Sequence, residues 1–123
     1  NSRSRTVKTA APPLPVMTLD RLERLDPDDE EVVTDELVAS DDVLVKAFAL
    51  GPGAELSPHD HPDSTNVFHV LRGAVTVVQG DDEERIEAPG VVHHERDVVH
   101  GARNDGDDAA LFTASLCPMP GSG

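Results

Sequence analysis

Cysteine occurs once in the 123 residues, at Cys117, so no disulfide can close within the chain and nothing points to an oxidising compartment. Tyrosine is absent altogether. Positive charge is scarce: Lys plus Arg number 10 against 24 Asp plus Glu, a formal net charge of −14, and the only lysines are Lys8 and Lys46. Such a surface repels nucleic acid and anionic membranes. The apolar runs fall far short of the ~20 residues that a membrane-spanning helix needs. The length allows one domain with one modest core.

The acids are dispersed as "DPDDEE", "SDD", "GDDEE" and "GDD", which reads as a solvating surface rather than an acidic tail. A charge of this size suits a salt-rich cytoplasm, as in a halophile, where screening removes most of the self-repulsion; an ordinary acidic protein is the alternative. Residues 1–16 hold three of the ten basic residues and no acid, then composition changes at Met17. We therefore expect 1–16 to be a disordered leader or an appended expression sequence. Residues 17–42 are expected to hold a short helix and an edge strand, the helix capped by Thr18, stopped by Pro27, and carrying Leu19, Leu22 and Leu25 on one side. From Glu31 the pattern turns to short Val-, Leu-, Ile- and Phe-rich runs at 31–39, 43–50, 66–71, 74–79, 84–88, 90–94, 97–103 and 109–116. Eight short strands with close turns predict an all-β fold, with a single jelly-roll barrel over 43–117 and a tail at 118–123.

Within that barrel the stretch from Gly53 reads "GAELSPHDHPDSTNVFHVLRG": a glycine, five residues, His59, Asp60, His61, four residues, Asn66, six residues, Gly73. It resembles the first sequence motif of the cupin superfamily, with Asn66 in the place of the usual glutamate. Downstream, "HGARN" places His100 and Asn104 as at the end of the second cupin motif. The turn before His100 departs from the pattern, because "ERD" stands where a proline and a glycine are usual. Residues i and i+2 of a strand share a face, so His59 and His61 can both enter the barrel while Asp60 points away. The same parity sends His100, Ala102 and Asn104 inward, and Asn66, Phe68 and Val70 inward with His69 outward. Of the adjacent His93 and His94, at most one faces inward. His69 and His94 read as satisfied surface or core groups, and His93 is open. The expected metal ligands are thus His59, His61 and His100, with Asn66 as a possible fourth. Asn66 could instead donate to a water on the metal, which we rank first, or be a turn residue. Asn66 and His93 are the candidate catalytic groups. Cys117 reads as a structural or exposed thiol.

Three neutral imidazoles leave a dication uncompensated, so the site should favour an anionic ligand. They also leave two or three octahedral positions open, enough for a bidentate substrate and dioxygen. "HDHPDSTNVFHVLRG" is similar to the thiol dioxygenases of the cysteine and cysteamine type, which begin this strand with "HDH" and lack the glutamate. That resemblance implies Fe(II) on His59, His61 and His100, with Zn, Mn or Ni as other divalent choices. It has limits: the tyrosine of cysteine dioxygenases would fall near Cys117, and their carboxylate-binding arginine near Val33. A cysteine-specific enzyme is not expected. Two readings follow: an Fe(II)-type dioxygenase or related metal-dependent enzyme on a small anionic substrate, or a non-catalytic metal- or ligand-binding module. We expect a cytoplasmic homodimer without nucleic-acid or membrane partners, because the 31–39 strand has no obvious partner inside so short a chain.

Overall fold

A computed structural model of the chain describes Leu22 and residues 24–119. Nine strands run through these residues: β1 (Val32–Ala39), β2 (Leu44–Leu50), β3 (Glu55–His59), β4 (Thr65–Arg72), β5 (Ala74–Gln79), β6 (Asp82–Glu87), β7 (Gly90–His94), β8 (His100–Arg103) and β9 (Ala110–Cys117). They form a five-stranded sheet in the order β1-β2-β9-β4-β7 and a four-stranded sheet in the order β3-β8-β5-β6. Every pairing is antiparallel, and the two sheets close on each other as a jelly roll. Eight of the strands lie on the eight apolar runs. The ninth, β3, escapes the pattern because Ser57 and Pro58 interrupt it.

β2 and β9 are largely buried on both faces, which is why "LVKAFAL" and "ALFTASLC" read as nearly continuous apolar runs rather than as alternation. Their inner face packs in the barrel core with Leu50, Val70, Val75, Val77 and Ala102. All three phenylalanines of the chain meet there: Phe112 lies 5.2 Å from Phe48 and 4.7 Å from Phe68, centroid to centroid. The outer face, at Ala47, Ala49 and Leu111, is covered by Leu22 and Leu25 of the preceding segment and by Val33 and Leu37 of β1. The apolar side expected for the helix between Thr18 and Pro27 thus has a counterpart in Leu22 and Leu25, although most of that expected helix lies outside the described residues. No helix among them is long and apolar enough to cross a membrane.

β1 is not left without a partner. It pairs with β2 from Val32↔Leu50 to Ala39↔Leu44, with a bulge between Glu36 and Val38. The expectation that this strand must look outside the chain is corrected accordingly: Val32 packs against the inner core and Leu37 against the outer cluster. The motif glycine Gly73 joins β4 to β5 at φ +72°, where a Cβ would also stand 2.8 Å from the Ala109 carbonyl oxygen.

Candidate metal centre

β3 and β8 lie side by side in one sheet, and His59 pairs directly with His100. Between Leu56↔Ala102 and His59↔His100 the register slips, so that β3 carries one residue more than β8. The bulge falls at Ser57 and Pro58, both exposed, and Pro58 is tolerated there because it need not donate to the ladder. Gly101 is required opposite: a Cβ on it would stand 2.8 Å from the Leu56 carbonyl oxygen and 3.2 Å from Pro58. His61 lies beyond the end of β3. Its carbonyl accepts from Ser64 N at 3.4 Å and from Asp97 N at 3.5 Å, which ties the His61 loop to the turn before β8. In that turn Asp97 takes φ +68°, the left-handed conformation that glycine usually fills and that aspartate adopts more readily than most residues. "ERD" therefore makes the turn by other means.

The imidazole nitrogens of His59, His61 and His100 come within 4.8 Å of one another. Ring centroids are 4.9 Å apart for His59 and His61 and 4.7 Å for His59 and His100. The Ser57 carbonyl accepts from His59 Nδ1–H at 2.8 Å, and the Val98 carbonyl accepts from His100 Nδ1–H at 2.9 Å. These bonds fix the tautomers so that both Nε2 atoms offer a lone pair, the form a metal requires. Burial holds His100 below the ordinary imidazole range, partly offset by its bond to Val98. His61 is lowered too, by burial first and then by the charge of His59. Both shifts favour the neutral ring that a metal needs.

Asn66, on β4, donates from Nδ2 to His100 Nε2 at 3.0 Å. Its Oδ1 is buried without a hydrogen-bond partner among the described residues. A buried carbonyl oxygen left unpaired is costly, but it is Nδ2 and not Oδ1 that faces His100, and a metal on His100 Nε2 would take the lone pair to which Nδ2 donates. The converging nitrogens of His59, His61 and His100, with the Asn66 amide beside them, fit a divalent metal.

Behind His100 lies His94, with its ring stacked at 4.3 Å and 9°. Gln79 Nε2 donates to His94 Nδ1 at 2.9 Å, so His94 carries its proton on Nε2, which has no partner among the described residues. Burial, followed by the charges of His100, His93 and His59, pushes its pKa down to about 4.

In front of the imidazoles opens a cavity of about 210 Å³. Its walls are mainly apolar, with Leu44, Phe48, Leu56 and Leu116 among them, and its polar groups are His59, His61, Asn66 and Lys46.

Residues 47–116 match the family described as the cupin domain. The chain is a cupin. Among solved structures it is similar to the TT1209 protein from Thermus thermophilus, at 29% identity over 83% of this chain and 95% of that one, with a TM-score of 0.75. An uncharacterised double-stranded β-helix protein from Klebsiella pneumoniae shares 23% identity over 93% and 95%, again with a TM-score of 0.75. A predicted oxalate decarboxylase from Thermotoga maritima shares 19% over 72% and 81%, with a TM-score of 0.68. The last two likenesses speak for the fold alone. No curated protein matches this cupin.

Of the residues singled out from the sequence, the cupin fold brings together His59, His61, His100 and Asn66, and turns His69 out to solvent. His93 is exposed, so the catalytic candidate of the adjacent pair lines no part of the cavity; the inward place belongs to His94, which is fully buried. The sequence held no signal for this phase, which is set by the pairing Asn66↔His94 that puts the two side chains on one face of the sheet. Cys117 is exposed at the end of β9. Val33, where a carboxylate-binding arginine was sought, belongs to the outer cluster. The cation that does line the cavity is Lys46, on the neighbouring strand. Its signal was an inward row of Leu44, Lys46, Phe48 and Leu50, masked because the alternate row of Val45, Ala47 and Ala49 is equally apolar.

Proposed function

We propose that this cupin is a metal-dependent enzyme of the dioxygenase type, holding Fe(II) on His59, His61 and His100 and acting on a small anionic substrate. The observation that carries the reading is the convergence of three imidazoles, two of them locked by backbone carbonyls in the metal-binding tautomer, beside a largely apolar cavity that His59 and His61 line. Fe(II), when bound, would supply Lewis acidity and redox chemistry toward dioxygen. The chain's own groups do the rest: the apolar walls exclude water, Asn66 orients a ligand through its amide, and the lack of a carboxylate among the cavity-lining residues leaves the site cationic. The same lack favours a second reading, a non-catalytic binding cupin, since no Asp or Glu stands there to act as a general base.

Elemental analysis of protein purified without a metal-affinity column, followed by oxygen uptake with a panel of small thiols and carboxylates, separates the two. Uptake that depends on added Fe(II) supports the enzyme; a fully metal-loaded protein that consumes no oxygen with any of them supports the binding module.

Asn66→Glu tests the electrostatics. A carboxylate in that place neutralises one unit of the dication's charge, so the variant is expected to bind metal more tightly and azide more weakly than the parent. Unchanged azide affinity, measured spectroscopically on the Co(II)-loaded protein, would reduce Asn66 to a structural role.

We also propose a homodimer through β1, the end strand of its sheet among the described residues, where Val38 is exposed, and the outer face near His69, where Leu71 is exposed. Like charges on both subunits oppose the contact, so it should tighten as salt rises. Sedimentation across a salt series reads this directly; a monomer throughout contradicts it.

A further inference from the structure

We propose that Lys46 anchors the carboxylate of a small monocarboxylic acid whose apolar body lies along the cavity wall toward the three imidazoles. The proposal rests on the metal-site reading only for what the far end of the ligand meets. It stands first on placement. β2 presents Leu44, Lys46 and Phe48 to the cavity, so the lysine interrupts an otherwise apolar row. Its ammonium lies 5.5 Å from the Phe48 ring centroid, over the inner aromatic cluster, and is only partly exposed. Among the described residues no ion pair within 4.0 Å includes it. A lysine could reach solvent from this position on its long stem, and facing the cavity leaves its charge less well hydrated than on the open surface.

The second support is electrostatic. The chain carries −14, and Lys46 is the one lysine or arginine among the residues that line this cavity. On so acidic a molecule an anion is repelled almost everywhere, so an anionic ligand needs a local cation to hold it.

The shape of the site sets the class. One ammonium balances one negative charge, which suits a monocarboxylate better than a phosphate dianion. The walls beside Lys46 call for an apolar body, and about 210 Å³ is smaller than the ~300–1,000 Å³ of pockets for drug-sized ligands, which limits that body to a short chain or a single ring.

The test uses butanoate and hexanoate against butanamide and hexanamide, titrated by NMR into the chelator-treated protein and the Zn(II)-loaded protein. The parent is expected to bind each acid about tenfold to a hundredfold more tightly than its amide, as for a hydrogen bond to a charged group. Lys46→Met should bring acid and amide within about twofold while leaving amide affinity and metal content unchanged, and Lys46→Arg should keep the preference. If the Met variant does not fold, Lys46→Gln is expected to show the same loss. A preference that survives both neutral substitutions overturns the proposal, and so does a parent protein that shows no preference or no saturable binding. Metal content is read separately in every variant. Failure of the metal site would therefore show as metal-free parent protein, whereas failure of the anchor would show in the acid-to-amide ratio.

Discussion

Replacing His100 by alanine is expected to take the protein from about one bound divalent metal per chain to essentially none. His100 is 1% exposed and pairs with His59 across the sheet, so the metal would lose its most rigidly held ligand. Changing a group that merely holds a metal-binding histidine in place typically costs about 10–100-fold in affinity; removing the imidazole itself should exceed that. His59 and His61 would remain, but His61 sits in a loop held by two long hydrogen bonds, and two neighbouring imidazoles make a poor site alone. His69→Ala is the matched control, since its side chain is exposed on the outer face of β4, and it should keep its metal in full. Both variants are compared by elemental analysis after dialysis, with circular dichroism to confirm the fold. Full metal retention by His100→Ala would remove the metal centre as assigned.

The cluster of His59, His61 and His100 could be read before the fold was seen because motif spacing placed all three, with strand parity agreeing at His100, Asn66 and His69, although His61 lies beyond the end of β3, where parity does not apply. The parity reading was incomplete at β3. There the bulge at Ser57 and Pro58 breaks strict alternation, so that Leu56 and His59, three residues apart, both line the cavity. The fold class was legible for a simpler reason: eight apolar runs of strand length, separated by turn residues, leave few alternatives to a jelly roll. What could not be read was phase where both alternate rows of a strand are apolar, as in β2, or where two like residues are adjacent, as at His93 and His94. Lys46 and His94 were missed for those two reasons. Both are fixed only by pairing with neighbouring strands, which one sequence does not display. The β1 partner was within reach of the sequence: β1 and β2 are consecutive strands joined by the turn 40–43, and the hairpin was passed over because the barrel was taken to begin at residue 43.

Acidification should destabilise the metal-free protein through His94 by about 3 kcal/mol between pH 6.5 and pH 4. The ring is fully buried, with Phe68 edge-on at 4.4 Å and His100 stacked at 4.3 Å. Burial is the main cause of its low pKa, and the neighbouring imidazoles add to it because stacked rings cannot share two positive charges cheaply. In the unfolded chain His94 titrates near 6.5, and in the fold near 4. Above pH 6.5 neither state holds the extra proton, and His94 has no effect on stability. Between the two values the unfolded state is protonated and the folded state is not, so each pH unit downward costs ~1.4 kcal/mol. Below about 4 both states are protonated and the loss levels off. The interval of roughly 2.5 units gives the ~3 kcal/mol, a large share of the ~5–15 kcal/mol that holds a typical domain folded. His61 and His100 are lowered as well and act in the same direction, so the His94 share is the difference between the parent and His94→Gln. The glutamine cannot be protonated in this range. Urea unfolding of both proteins in chelator, from pH 7.5 to pH 4, should show a steeper fall for the parent and a flatter curve for the variant, with the two diverging below pH 6.5. Parallel curves would mean that His94 is already accommodated as a cation in the fold.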